Sequence, residues 1–225
     1  MNEMERNVRK HLRMQGYDYS SAGSYFVTIC AHGGRAAFGS ISTTEAQLND
    51  VGRIVEKWWN KLAAKFAAVE LDASVIMPNH VHGIIFIADG ESPKNRDESG
   101  NNKQSSRKDS RQNTVGADPC VRPSLSKILQ WFKTMTTNEY LRHCKKSGLN
   151  VPGRKLWQRG FYEHVIRSDE ALDRIREYII NNPANWDHDG ENPLHKDAAM
   201  GEMLKPPFLS VKEKGGHMGP PLQRG

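Results

Sequence analysis

The chain has 225 residues, room for one medium domain with extensions, and its hydrophobic share of 37% is low enough that part of it must lie outside any packed core. A net charge of +6 and a pI near 9.2 favour a polyanionic partner such as nucleic acid. Three scattered cysteines (Cys30, Cys120, Cys144) without a CxxC exclude a disulfide scaffold and a cysteine zinc site, while the lack of any long apolar run excludes a membrane span, so the expectation is a cytoplasmic protein with no membrane partner.

The first element in chain order is "SYFVTICA", residues 24–31, β-branched and aromatic, which reads as a strand. "AAFGSI" follows as the return arm of a hairpin through "HGGR". Residues 47–66 show helical spacing, with Val51, Ile54, Val55, Trp58, Leu62 and Phe66 on one face. "VELDASVIMPNHVHGIIFIAD" gives two apolar strands parted at Pro78 and Asn79. From 90 to 123 the chain is rich in Ser, Asn, Lys, Arg and Asp and almost free of apolar residues, the composition of a disordered insertion. A second helix begins at Ser124 with Leu125, Ile128, Leu129, Phe132, Met135 and Tyr140 on its apolar face. "KLWQRGFYEHVIR" reads as a strand or hairpin bent at Gly160. "SDEALDRIREYIINNP" is a third helix, capped by Ser168, acidic in its first turn and stopped by Pro183. Residues 1–186 then form one domain, and 187–225 a polar, flexible tail. Strands and helices interleaved this way predict an α+β fold, an antiparallel sheet with helices on one face.

Two features carry chemistry. His80 and His82 sit at i and i+2 on a strand, so both rings stand on the same face, which is expected to be the open one. Imidazole is the commonest protein metal ligand, and the pair supplies half of a divalent metal site. A strand histidine more often is simply hydrogen-bonded or half-exposed, and the spacing leaves that alternative open. On the third helix Tyr178 and Asn182 lie about 40° apart, at the edge of the stripe made by Leu172, Ile175 and Ile179. Asn182 offers a hard carbonyl oxygen suited to Mg²⁺ or Mn²⁺. Tyr178 offers a phenol that becomes a useful nucleophile where a metal polarises the electrophile, although a helical tyrosine is more often a core-edge residue.

"MPNHVHGIIF", "LWQRGFYEHVIR" and "EYIINNPANW", with "GYDYSSAGSYFVTICA" and "FKTMTTNEY", together resemble the single-tyrosine HUH transposases, most nearly the REP-associated tyrosine transposases. The resemblance runs from about Arg9 to Trp186, interrupted by the insertion. It implies a ferredoxin-like or RRM-like sheet, with the helices on one face and the HUH site on the other. It also implies that His80, His82 and Asn182 hold a divalent metal, Mg²⁺ or Mn²⁺, and that Tyr178 is the nucleophile. The reaction so implied is cleavage and rejoining of single-stranded DNA near a hairpin, through a 5′-phosphotyrosine link and a free 3′-OH. It leaves open whether a monomer or a homodimer acts.

Beside this resemblance the basic and aromatic residues gain a use. Arg154, Lys155, Arg159 and Arg167, interleaved with Trp157 and Tyr162, suit phosphate contact and base stacking on single-stranded or hairpin DNA. Arg9, Lys10 and Arg13 form a second basic cluster. The competing functions are a non-catalytic nucleic-acid-binding regulator on the same fold, the transposase of an autonomous mobile element, and a zinc hydrolase. The last lacks an obvious third strong ligand and a general base.

Overall fold

The computed structural model describes residues 22–88, 123–148 and 155–193. Its strands are β1 (Gly23–Cys30), β2 (Gly39–Ser42), β3 (Glu45–Leu48), β4 (Val69–Ile76), β5 (His80–Ile87) and β6 (Tyr162–Ile166); its helices are α1 (Asp50–Lys65), α2 (Leu125–Lys146) and α3 (Asp169–Asn181). Four strands form one antiparallel sheet in the order β4-β5-β1-β6, with α1 between β1 and β4 and α2 between β5 and β6. This is the expected α+β, ferredoxin-like arrangement. β1 and β5 occupy its centre, and every residue of β5 is buried, which accounts for its near-continuous apolar run.

Both faces of the sheet are covered. On one, Tyr25, Val27, Ile29, Val81, Ile85 and Ile87 meet Val55, Trp59 and Leu62 of α1 and Leu125, Ile128, Leu129 and Phe132 of α2. On the other, Phe26, Ile84, Phe86 and Ile166 meet Leu172, Ile175 and Ile179 of α3. The expectation that the histidine face lies open therefore needs correction. The apolar stripe of α3 has to be buried somewhere, and the apolar residues that alternate with β1's and β5's helix-side set offer the second surface.

Gly83 shows how tightly the first face is filled. The Trp59 indole lies directly over it, so that any Cβ there would run into the ring. Trp59, rather than Trp58, is the fully buried tryptophan of α1; Trp58 is half-buried at the rim and donates its indole N–H to Glu139 at 2.6 Å. Met135 is likewise only half-buried, and Thr136 takes the interior position.

The β2 strand does not return onto β1. It pairs with β3 as a separate ribbon, and β3 uses Gln47 and Leu48, which helical spacing had assigned to α1. The helix starts one residue after Asn49, whose side chain accepts from the Gly52 N–H. Ser168 caps α3 by accepting from the Ala171 N–H, as expected. Residues 1–21, 89–122, 149–154 and 194–225, including nearly all of the expected insertion, fall outside the described residues. The 3-10 turn Trp186–His188 crosses the expected boundary at 186/187, and within the stretch read as tail Asp189 and Asn192 are buried.

Candidate active site

The site forms where the start of β5, the middle of β1 and the end of α3 meet. Antiparallel register sets Thr28 opposite His82 and Cys30 opposite His80. Period two then puts His80 and His82 on the α3 face, with Phe26 stacked on the His82 ring at 5.3 Å between centroids. Tyr178 packs edge-on against the same Phe26. Asn182 follows the last turn of α3 and is buried.

The four groups singled out in the sequence meet here, all from one chain. His80 Nε2 lies 3.0 Å from His82 Nε2, and the Tyr178 hydroxyl lies 3.3 Å from that same His82 nitrogen. Asn182 Oδ1 is fully buried and has no hydrogen-bond partner among the described residues, while its Nδ2 donates to Asp189 Oδ2 at 2.8 Å.

The neighbours fix which atoms face inward. Asn79 uses both amide hydrogens on carbonyl groups, Gly34 O at 3.2 Å and Glu191 O at 2.6 Å. Its Oδ1 can then only accept, so the hydrogen of the 2.8 Å contact with His80 belongs to Nδ1, and His80 Nε2 presents a lone pair to the site. Thr28 Oγ1 holds His82 Nδ1 at 2.9 Å in the matching position on the neighbouring strand. Both rings are thereby oriented by an oxygen at Nδ1, the arrangement that commonly supports metal-binding histidines.

Electrostatics keep the rings neutral. Burial pushes His80 below the ordinary imidazole range, against the opposing pull of the Asp189 and Glu191 carboxylates. Burial, followed by the neighbouring His80, holds His82 well below that range. Tyr178 is pushed up, first by burial and then by Asp189 and Glu191, so its phenol is protonated at neutral pH. Neutral imidazoles are the form that ligates metal.

The donor set fits a divalent cation. Two ligands at right angles and about 2.1 Å from one ion are roughly 3 Å apart, close to the separation of the two Nε2 atoms. The buried, unpartnered Asn182 oxygen is a group in need of a cation or donor. His80, His82 and Asp189 also qualify as a group able to hold a metal, since their ligand atoms lie within 4.8 Å of one another. Asp189 was not foreseen. Nothing local in "NWDHDGEN" marks that acid over Asp187, and only the turn after α3 carries it back to the histidines.

The residues expected to bind DNA are placed differently. Trp157 is a core residue: it packs against Phe38 and Phe132, and its indole N–H donates to Thr136 Oγ1 at 2.8 Å, so it offers no face for a base. Tyr162 lies on the site face beside Phe26, half-buried, with its phenol pushed up to about 12 by burial. Lys155 and Arg159 are exposed and Arg167 is half-buried. Lys133 of α2 donates to the carbonyls of Gln158 and Gly160 and so holds the loop that carries Arg159. Arg9, Lys10, Arg13 and Arg154 lie outside the described residues.

No family model matches the chain. An uncharacterized protein of Haemophilus influenzae is 35% identical over 190 residues, covering 80% of this chain and 91% of that protein. Among solved structures, a REP-associated tyrosine transposase bound to a REP hairpin is similar over 77% of this chain and 74% of its own, at 18% identity and a TM-score of 0.46. A candidate transposase of Deinococcus radiodurans is similar over 75% and 95%, at 13% identity and a TM-score of 0.39. Both structural likenesses are partial.

Proposed function

The chain belongs to the family of that Haemophilus influenzae protein, and we propose that it is a DNA strand transferase. It would cleave and rejoin single-stranded DNA through a 5′-phosphotyrosine intermediate, on palindromic hairpins of the REP type. The observation that carries this reading is the approach of the Tyr178 hydroxyl to within 3.3 Å of His82 Nε2, in a buried cluster with His80 and an unpartnered amide oxygen.

In this reading His80, His82 and Asn182 hold Mg²⁺ or Mn²⁺ by two imidazole nitrogens and one amide oxygen. The bound cation supplies Lewis-acid polarisation of a non-bridging phosphate oxygen. Tyr178 Oη forms a bond to phosphorus and the bond to the 3′-oxygen breaks. The phenol gives up its proton and the departing 3′-oxygen takes one, so no proton is gained or lost overall. The phosphotyrosine conserves the phosphodiester's bond energy, so the reverse step needs no nucleotide cofactor. Phe26 keeps the Tyr178 and His82 rings in place through edge and stacking contacts. In this reading Tyr178 acts in cis, on the metal site of its own chain. Lys155, Arg159 and Arg167, and beyond the described residues Arg9, Lys10, Arg13 and Arg154, would supply phosphate contacts, consistent with the overall +6 charge. A cytoplasmic location on the nucleoid follows from such a substrate.

The test is incubation with Mn²⁺ and a single-stranded hairpin substrate. Wild-type protein is expected to release a fragment with a free 3′-OH, whereas His80→Ala is expected to bind the hairpin without cutting it. Cleavage at the wild-type rate by His80→Ala, or in the presence of excess chelator, would defeat the reading.

A further inference from the structure

Asp189 stands outside the set of residues just given a role. It follows the 3-10 turn after α3, and only 3% of its side chain is exposed. Its Oδ2 lies 3.9 Å from His80 Nε2 and accepts from Asn182 Nδ2 at 2.8 Å, while Oδ1 accepts from the Glu191 N–H at 2.7 Å. Its backbone is held as well: its carbonyl accepts from the Asn192 N–H at 3.0 Å, and the next turn is tied to Asn79 through Glu191 O.

A carboxylate so buried is costly to keep unless a positive charge or strong donors answer it. Among the described residues its donors are one amide and one backbone N–H, and His80 Nε2 stands 3.9 Å off, beyond hydrogen-bond distance. A divalent cation between the carboxylate and the histidines removes the deficit. The distances allow it: donors sharing an ion at about 2.1 Å are between roughly 3 and 4 Å apart. A carboxylate oxygen has a lone pair left for the metal after it accepts one hydrogen bond from Asn182.

We propose that Asp189 is a ligand of the metal, the anionic member of a His80–His82–Asn182–Asp189 shell, so that metal binding also fastens segment 186–193 over the end of α3. This rests on the metal-dependent reading above and adds to it a residue beyond the HUH pair and the tyrosine helix. A carboxylate makes the shell negative overall, which suits hard divalent cations over softer ones.

The alternative role for Asp189 is to orient the Asn182 amide and nothing more. Mn²⁺ titration of full-length protein by electron paramagnetic resonance separates the two. Asp189→Asn keeps an oxygen that can accept from Asn182 but loses the charge. It is expected to bind Mn²⁺ at least about 10-fold more weakly, the lower end of what losing even a residue that only supports a metal ligand costs. The same loss is expected when Asp189→Asn is made in an Asn182→Ala background, where there is no amide to orient. Wild-type affinity in Asp189→Asn, or loss of its effect in the Asn182→Ala background, overturns the proposal. If the variants melt early, hydrogen exchange of the wild-type protein gives the answer: Mn²⁺ is expected to slow exchange across 186–193 as well as 80–82, and slowing at 80–82 alone overturns it. The parent reading fails separately, by unchanged Mn²⁺ affinity in His80→Ala and His82→Ala.

Discussion

Gly83, one residue past the histidine pair, offers a quantitative test of how the site strand is held. A methyl group there would overlap Trp59 Cζ2, far inside carbon–carbon contact distance, and lie 2.6 Å from Cη2. Both atoms belong to a rigid, buried indole, with α1 behind it and Phe132 of α2 against its edge at 5.6 Å between centroids. Neither partner yields cheaply, so Gly83→Ala is expected to cost about 1–3 kcal/mol by overpacking. For a chain of this size that is a fall of about 2–4 °C in melting temperature per kcal/mol. Trp59→Phe removes the atoms that the methyl would strike and also the indole Nε1, a buried donor with no hydrogen-bond partner among the described residues. Gly83→Ala should therefore cost measurably less in the Trp59→Phe background, with a coupling of about 0.5–3 kcal/mol between the two positions. Urea denaturation of the four proteins, followed by tryptophan fluorescence and circular dichroism, measures the cycle. Additive effects, or a Gly83→Ala protein as stable as wild type, would refute the packing argument and with it the account of why glycine follows "HVH".

Three further outcomes follow. Arg176 of α3 forks onto Asp72 of β4, Nε to Oδ1 at 3.0 Å and Nη2 to Oδ2 at 2.7 Å, two residues before Tyr178; Arg176→Ala should loosen α3 and slow cleavage by up to about 100-fold in quenched single-turnover assays. Hairpin affinity should hold in that variant, and an unchanged cleavage rate would show that the clamp does not position Tyr178. Burial lowers the pKa of His80 and of His82, so the unfolded chain takes up protons below about pH 6.5 that the fold resists, and the metal-free protein should lose stability as pH falls from there. The loss should be up to about 1.4 kcal/mol per pH unit for each ring and shallower in His82→Leu; equal slopes for the two proteins between pH 7.5 and 5.5, by urea denaturation, would contradict it. Trp157→Ala should act through the core, costing about 3–5 kcal/mol in stability, and a stable variant impaired only in DNA binding would restore Trp157 to the DNA surface.

Periodicity made most of the sheet and its three helices readable. β5 shows an apolar run with a turn before it, α1 and α3 show one buried stripe each, and Ser168 caps α3 as its residue type suggests. Local pattern could not tell Trp58 from Trp59, because the choice depends on the space above a glycine in a distant strand. It also placed Gln47 and Leu48 in α1, since their pairing with β2 leaves no helical or strand signature of its own. At the site, spacing and resemblance singled out His80, His82, Tyr178 and Asn182, which the fold brings together, but not the groups that support them. Thr28 reaches His82 across 54 residues and Asn79 reaches Glu191 across 112, contacts that no local window contains. The cover over the histidines was missed for the same reason: α3 and the Asp189 turn arrive on that face from the far end of the chain.

The central claim is that Tyr178 becomes covalently joined to DNA. A hairpin strand labelled at its 3′ end, incubated with protein and Mn²⁺, should yield a band that survives denaturation and carries both label and protein. Trypsin cuts after Arg176 and Lys196, so the phosphonucleotide mass should map to the peptide 177–196, which holds Tyr178 as its one tyrosine. Tyr178→Phe should give no adduct while still binding the hairpin. An adduct that persists in Tyr178→Phe, or one that maps to any other peptide, would contradict the account.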